Sequence, residues 1–176
     1  MNEPVEIPEF GTAEEALSYA FRMEGKLIHP KNIYETVIKG TNPADLTIQD
    51  KIIQGSMIRA CAFEAMLPIQ IKIIIAEFTM PVNDLYNKKE MALAGLANLF
   101  KKDTDRAIDK HFVIDTLRLS LSNRSHHAIN WWIQHTSTPS RTMYRVAKEI
   151  KEFSETWQGS ALNHASVNLA GKGYIP

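Results

Sequence analysis

The sequence contains a single cysteine, Cys61, among its 176 residues. A disulfide within the chain is therefore excluded. Cys61 lies in the apolar run SMIRACAFEAM, which predicts a buried and unreactive thiol. A chain that forms no disulfide is typical of a reducing compartment, so we expect a cytoplasmic protein in a bacterium or in a phage-infected host cell.

The chain also lacks net charge, since 20 Lys and Arg residues balance 20 Asp and Glu residues. This balance argues against a protein that coats nucleic acid through bulk charge, but it permits a local basic patch. Long apolar runs are absent too. The most apolar stretch, residues 66–80, contains Pro68, Gln70, Lys72 and Glu77, which excludes a transmembrane helix there. The first residues are acidic and are not expected to form a secretion signal.

Motifs of the common enzyme and metal-site classes are missing. The sequence has no GxSxG, no glycine-rich phosphate loop, no HExxH and no CxxC. A metal site needs three or four convergent ligands, and the six histidines are more simply explained as polar surface residues. We therefore expect no enzymatic activity, no metal and no cofactor.

Helical periodicity dominates the chain and strand alternation is nearly absent, so we predict an all-α fold of seven to eight helices. Residues 1–11 are predicted to be an extended arm, and residues 12–120 a helical bundle that serves as a scaffold. Residues 121–176 are predicted to contain a helix-turn-helix module and a C-terminal helix.

Several helix ends are predicted from local signals. Thr12 and Glu15, and likewise Thr47 and Asp50, have the spacing of a capping box. Pro68 is suited to the first turn of a helix. The β-branched run at residues 71–75 favours a helix over a buried strand, because no partner strand is visible. A short helix is predicted over residues 32–39, another helix from residues 103–104, and a break at Gly159 between two C-terminal helices.

The segment STPSRTMYRVAKEI, residues 137–150, predicts an amphipathic helix with Thr138 as its N-cap and Pro139 in its first position. Its apolar side comprises Met143, Val146, Ala147, Ile150, Phe153 and Trp157. Its polar side comprises Arg141, Tyr144, Arg145 and Lys148, and is flanked by Ser140 and Thr142. This is the layout of a recognition helix, which packs on a scaffold with one side and offers cations to DNA with the other.

The charge pattern around this helix supports the same interpretation. From residue 117 to residue 148 the chain carries five basic residues and no acidic one, which predicts a patch of +5. The five are Arg118, Arg124, Arg141, Arg145 and Lys148. The alternative is an ordinary solvated helix face, and RNA or an acidic protein surface would be other partners for the same cations.

The segment PSRTMYRVAKEI, residues 139–150, resembles the third helix of helix-turn-helix domains of the sigma region-4 kind. The resemblance implies that Arg141, Thr142, Arg145 and Lys148 meet DNA. It also implies a supporting helix over residues 125–135 and a turn over residues 136–138. The order of helical segments along the chain is similar to small phage and prophage regulators, including Q-type antiterminators, many of which carry a cysteine-rich zinc element that one cysteine cannot form.

The adjacent pair Trp131 and Trp132 precedes this helix. The two side chains are expected to point about 100° apart on a helix. Either both belong to the core, or one packs beneath the recognition helix while the other lies at an interface or stacks on a base.

Two functions follow from these patterns. The first is a DNA-binding transcription regulator, of the phage antitermination type, that contacts double-stranded DNA through Ser140, Arg141, Thr142, Tyr144, Arg145, Lys148 and Arg124. Its scaffold would form a homodimer or engage RNA polymerase. The alternative is a protein-interaction factor or host-enzyme inhibitor of phage origin that does not bind DNA, with an acidic surface within residues 1–40, where seven acidic residues face four basic ones.

Overall fold

A computed structural model describes residues 10–27, 47–80, 83–104, 108–121 and 127–176. These residues form seven α-helices and no strand, which confirms the predicted all-α class. In chain order the helices are α1 (Ala13–Leu27), α2 (Ile48–Phe63), α3 (Pro68–Phe78), α4 (Asn83–Thr104), α5 (Lys110–Leu121), α6 (His127–His135) and α7 (Ser140–Gly171). The predicted helix over residues 32–39 and most of the predicted arm lie outside the described residues.

The contacts divide the chain into two compact units. The first unit comprises residues 1–66 and 162–176, and the second comprises residues 67–161. The long helix α7 contributes residues to both units. These units do not coincide with the ranges 12–120 and 121–176, whose division into scaffold and module stays a prediction.

The first unit is built on α1, α2 and the end of α7. Leu17, Phe21, Ile58, Ala165 and Leu169 are among its fully buried side chains. Thr47 and Asp50 form the complete capping box at the start of α2: the Asp50 amide donates to Thr47 Oγ1 at 3.1 Å, and the Thr47 amide donates to Asp50 Oδ2 at 3.0 Å. Half of the predicted box is present at α1, where the Glu15 amide donates to Thr12 Oγ1 at 3.2 Å. The Glu15 carboxylate accepts its hydrogen bond from the amide of Gly11, at 2.9 Å, rather than from that of Thr12.

Side chains of α7 complete the C-terminal end of α2, where a helix leaves carbonyl groups without partners. Asn168 Nδ2 donates to the carbonyl of Glu64 at 2.8 Å, and His164 Nε2 lies 2.9 Å from the same oxygen. The Cys61 thiol donates to the carbonyl of Asn168 at 3.3 Å. Cys61 is half-buried, and burial raises the pKa of its thiol.

The second unit contains α3, α4, α5, α6 and about the first six turns of α7. Its fully buried side chains include Ile73, Ile74, Leu93, Leu96, Phe112, Leu117 and Ile150. Residues 71–75 are helical rather than extended, and Pro68 occupies the first position of α3 as predicted. Side chains also link α7 to α3, since Gln158 Nε2 donates to Glu77 Oε1 at 2.6 Å and Gln70 Nε2 donates to Ser160 Oγ at 3.0 Å.

Two predicted helix boundaries are wrong. The helix α4 continues through residues 103–104, and α5 instead begins after Asp109, whose carboxylate accepts hydrogen bonds from the amides of His111 at 2.7 Å and Phe112 at 3.4 Å. Gly159 does not interrupt α7, because buried residues recur at helical spacing on both sides of it. They are Ile150, Ser154, Ala161, Ala165 and Leu169. Within the described residues, no helix has the length and apolar character needed to cross a membrane.

Gly159 and Gly55 allow a paired test of this packing. A Cβ at Gly159 would meet no atom within 4 Å, so Gly159→Ala should raise the free energy of unfolding by about 0.5–1 kcal/mol through helix propensity. A Cβ at Gly55 would lie 3.0 Å from Met23 Cβ and 3.2 Å from the Ala20 carbonyl oxygen. Gly55→Ala should therefore lower that free energy, by about 1 kcal/mol or more. Urea unfolding measures both; stabilisation by both variants would contradict the close approach of α1 and α2.

The raised pKa of Cys61 predicts a slow thiol. At pH 8 a higher pKa leaves less thiolate, so the folded protein should react with a disulfide reagent more slowly than the same protein unfolded in urea. The rate should rise with pH in the folded state. Equal rates in the folded and unfolded protein would show that Cys61 is neither protected nor hydrogen-bonded.

Candidate nucleic-acid interface

One side of α7 is buried in the second unit and the opposite side is exposed. The buried side chains of the first turns are Met143, Val146, Ala147 and Ile150. Ser140, Arg141, Tyr144, Arg145 and Lys148 are exposed. The structure thus brings five of the seven predicted contact residues to one accessible face of a single helix, which we call the α7 outer face. Arg124 lies outside the described residues.

The start of α7 differs from its predicted start by one position. The carbonyl of Pro139 accepts hydrogen bonds from the amides of Thr142 at 2.9 Å and Met143 at 3.2 Å, so Pro139 is the N-cap and Ser140 is the first helical residue. Thr142 is half-buried and lines a cavity of about 100 Å³ together with Thr136 and Thr138. Thr142 is therefore turned partly toward the interior, away from the α7 outer face.

Arg118 does not contribute free positive charge to this surface. Its Nη1 lies 2.6 Å from Asp115 Oδ1, and its Nη2 lies 2.8 Å from Glu90 Oε2. Burial by itself would lower the pKa of Arg118, but the bonds to Glu90 and Asp115 raise it. The predicted patch of +5 is therefore an overcount, because acids outside the window of residues 117–148 neutralise one of its five cations.

Arg141 and Arg145 are the cations that remain available. Neither has an ion-pair partner among the described residues. Lys148 Nζ lies 3.6 Å from Glu152 Oε1 in an exposed pair one turn along the helix. An exposed pair of this kind contributes little to stability, so it leaves Lys148 accessible to another anion.

Polar contacts hold α6 between α5 and α7. The indole N–H of Trp132 donates to Asp115 Oδ2 at 3.1 Å, and its ring packs edge-on against Phe112 with centroids 5.9 Å apart. On the other side, the Tyr144 hydroxyl donates to Asn130 Oδ1 at 3.2 Å. A connection of four residues, 136–139, joins α6 to α7, which is a typical length for a helix-turn-helix.

The two adjacent tryptophans have different environments. Trp132 is half-buried, whereas 53% of Trp131 is exposed, so the interpretation that both belong to the core is wrong. The Trp131 ring stacks on His135 with centroids 4.3 Å apart and an interplanar angle of 13°. His135 Nδ1 also lies 2.7 Å from the Trp131 carbonyl oxygen. This exposed aromatic pair belongs to α6 rather than to the α7 outer face.

Sequence reasoning missed the residues that neutralise Arg118 and the residue that binds Tyr144. The pairing of Asp115 with Arg118 could have been predicted, because Asp115 precedes Arg118 by three positions on one helix and such pairs face each other. The pairing of Glu90 with Arg118 could not be predicted, since Glu90 is 28 residues away from Arg118 and meets it only in the folded chain. The bond between Asn130 and Tyr144 could not be predicted either, because it depends on how α6 packs against α7.

No three His, Cys, Asp or Glu side chains come close enough to hold a metal ion in the described ranges. Comparison with protein-family models, curated proteins and solved structures finds no match to this chain.

The Trp132–Asp115 hydrogen bond predicts unequal effects of two substitutions. Trp132→Phe removes a hydrogen bond to a charged acceptor and should lower the free energy of unfolding by about 1–2 kcal/mol. Trp131→Phe changes an exposed ring and should alter it by less than about 0.5 kcal/mol. Urea unfolding followed by circular dichroism compares the two; equal losses would show that the indole N–H of Trp132 does not help to hold α6.

Proposed function

We propose that the α7 outer face binds double-stranded DNA and that the protein is a transcription regulator. One observation carries the proposal: the guanidinium groups of Arg141 and Arg145 are exposed one helical turn apart, without ion-pair partners among the described residues. The opposite side of α7 is fixed in the second unit by buried apolar residues. The face thus has rigid support and available cations.

The chemistry of these side chains fits a DNA groove. Arg can donate two parallel hydrogen bonds to O6 and N7 of guanine or to a phosphate. Lys148 adds a cation one turn farther along, and Ser140 places a hydroxyl and a backbone amide at the helix start, where a phosphate oxygen is favoured. Tyr144, held by Asn130, has its ring on the same face.

The resemblance of residues 139–150 to the third helix of sigma region 4 supports the same proposal, as does the short connection between α6 and α7. In this proposal the protein has no enzymatic activity and works in the cytoplasm of a bacterial or phage-infected cell. The proposal includes action at phage late promoters as an antitermination-type factor. In that role the protein would act with RNA polymerase or as a homodimer.

The test is the affinity of arginine variants for random and genomic duplexes over a series of salt concentrations. Arg145→Gln should weaken binding by about 1–3 kcal/mol at preferred sequences if Arg145 contacts a base. If Arg145 contacts only phosphate, the loss should be equal for all duplexes and the salt slope should fall by about one unit. Arg141→Gln should behave similarly, and Lys148→Gln should show a smaller loss.

Arg22→Gln is the matched control, because Arg22 is also exposed but lies on α1 in the first unit. It removes the same charge and should leave DNA affinity unchanged. Equal effects of Arg22→Gln and Arg145→Gln, or no measurable duplex binding by the unmodified protein, would overturn the proposal. The absence of duplex binding would favour the alternative, a protein-interaction factor that does not bind DNA.

A further inference from the structure

The second unit contains a small cavity on the buried side of α7, next to the connection between α6 and α7. The first turns of α7 line it with Thr142, Met143 and Val146, and Phe112 of α5 and Trp132 of α6 line it as well. Its volume is about 100 Å³. Since a cavity of about 150 Å³ holds a benzene molecule, this one has room for a ligand of about four non-hydrogen atoms.

The polar groups of this cavity are rich in hydrogen-bond acceptors. Asp109 lines it with a carboxylate whose Oδ1 accepts the amides of His111 at 2.7 Å and Phe112 at 3.4 Å. Its Oδ2 has no hydrogen-bond partner among the described residues. The Thr136 hydroxyl, also in the lining, donates its proton to the Trp132 carbonyl oxygen at 2.9 Å, so its oxygen is left to accept a further bond.

Nitrogen donors are scarce in the same lining. The indole N–H of Trp132 is already committed to Asp115 Oδ2 at 3.1 Å, and no Lys or Arg is among the described lining side chains. His111 Nδ1 lies 3.4 Å from Asp109 Oδ1, but 82% of the His111 side chain is exposed and it does not line the cavity. A ligand would therefore have to bring its own donors, and a positive charge is favoured beside the carboxylate.

Aromatic rings supply much of the remaining surface. The rings of Phe112 and Trp132 meet at an interplanar angle of 73°, with centroids 5.9 Å apart. Aromatic surface packs against an alkyl chain and also attracts a nearby cation. An anion would be repelled by Asp109, and a wholly apolar ligand would leave the carboxylate and the hydroxyls of Thr138 and Thr142 without hydrogen-bond partners.

We propose that this cavity binds a small primary alkylammonium ion. Its ammonium group would lie beside Asp109 and the threonine hydroxyls, and its alkyl chain against Phe112 and Trp132. A primary ammonium has three N–H donors, which suit a lining made of acceptors. Because 54% of the Asp109 side chain is exposed, the bound cation keeps part of its hydration, which limits the cost of desolvation. This inference does not rest on DNA binding.

The test compares three ligands of similar size and different charge: propylammonium, 1-propanol and propionate. Each is titrated into the full chain at pH 8, where histidine side chains carry little positive charge. The indole N–H signal of Trp132, assigned with the variant Trp132→Phe, is followed by NMR. Propylammonium should shift this signal saturably with a Kd of about 0.1–10 mM, since four non-hydrogen atoms give only weak binding. 1-Propanol should bind about tenfold or more weakly, and propionate should not bind.

Substitutions in the lining locate the binding site. Asp109→Asn keeps a side-chain oxygen at the start of α5, where asparagine caps a helix as well as aspartate does. It should weaken propylammonium binding about tenfold or more and leave 1-propanol binding unchanged. Thr142→Val keeps the shape of the side chain but removes its hydroxyl, and should weaken propylammonium binding severalfold. Asp50→Asn is the matched control: it removes the same charge at the start of α2 in the first unit and should bind propylammonium like the unmodified protein.

Three outcomes would overturn the proposal: equal binding of propylammonium and 1-propanol, unchanged propylammonium affinity in folded Asp109→Asn, or no saturable shift with any of the three ligands. The last outcome would show that the cavity holds only water. Circular dichroism establishes that each variant is folded. Arg145 does not line the cavity, so Arg145→Gln should leave propylammonium affinity unchanged, and the results for the cavity and for DNA binding are independent.

Discussion

Burial of one side of α7 is the constraint on which the proposed interface depends. Met143, Val146 and Ile150 are nearly inaccessible to solvent, and burying a side chain of this kind stabilises a fold by about 1.5–3 kcal/mol. Rotating α7 by a quarter turn would expose all three together. The orientation of the helix is therefore fixed by its apolar side, and Arg141 and Arg145 are accessible as a consequence.

The apolar core orients the helices, and polar side chains add specific contacts between them. Asp115 accepts a hydrogen bond from Trp132 and pairs with Arg118, so one carboxylate positions α6 and also balances a cation. Glu90 completes the neutralisation of Arg118 from α4. Asp115 and Glu90 thus neutralise Arg118, whereas Arg141 and Arg145 have no ion-pair partner among the described residues.

Local sequence signals predicted helix starts well where both partners of a contact are close in the chain. The capping box of Thr47 and Asp50 and the position of Pro68 are examples, since each depends on backbone groups within a few residues. The helix break predicted at Gly159 is wrong because burial elsewhere along α7 outweighs the local signal of the glycine. Its cost in helix propensity is about 1 kcal/mol, which the burial of Ile150, Ala161 and Ala165 on either side exceeds.

The sequence by itself determined the all-α class and the two-sided character of residues 140–150, because helical period and side-chain polarity are local properties. Only the tertiary structure decided which cations remain available. Arg118 and Arg145 are both basic residues in an acid-free stretch, yet Arg118 is neutralised by Glu90 from another helix. Electrostatic pairing depends on the distance between charges in the folded protein, and counting charges along the sequence does not give that distance.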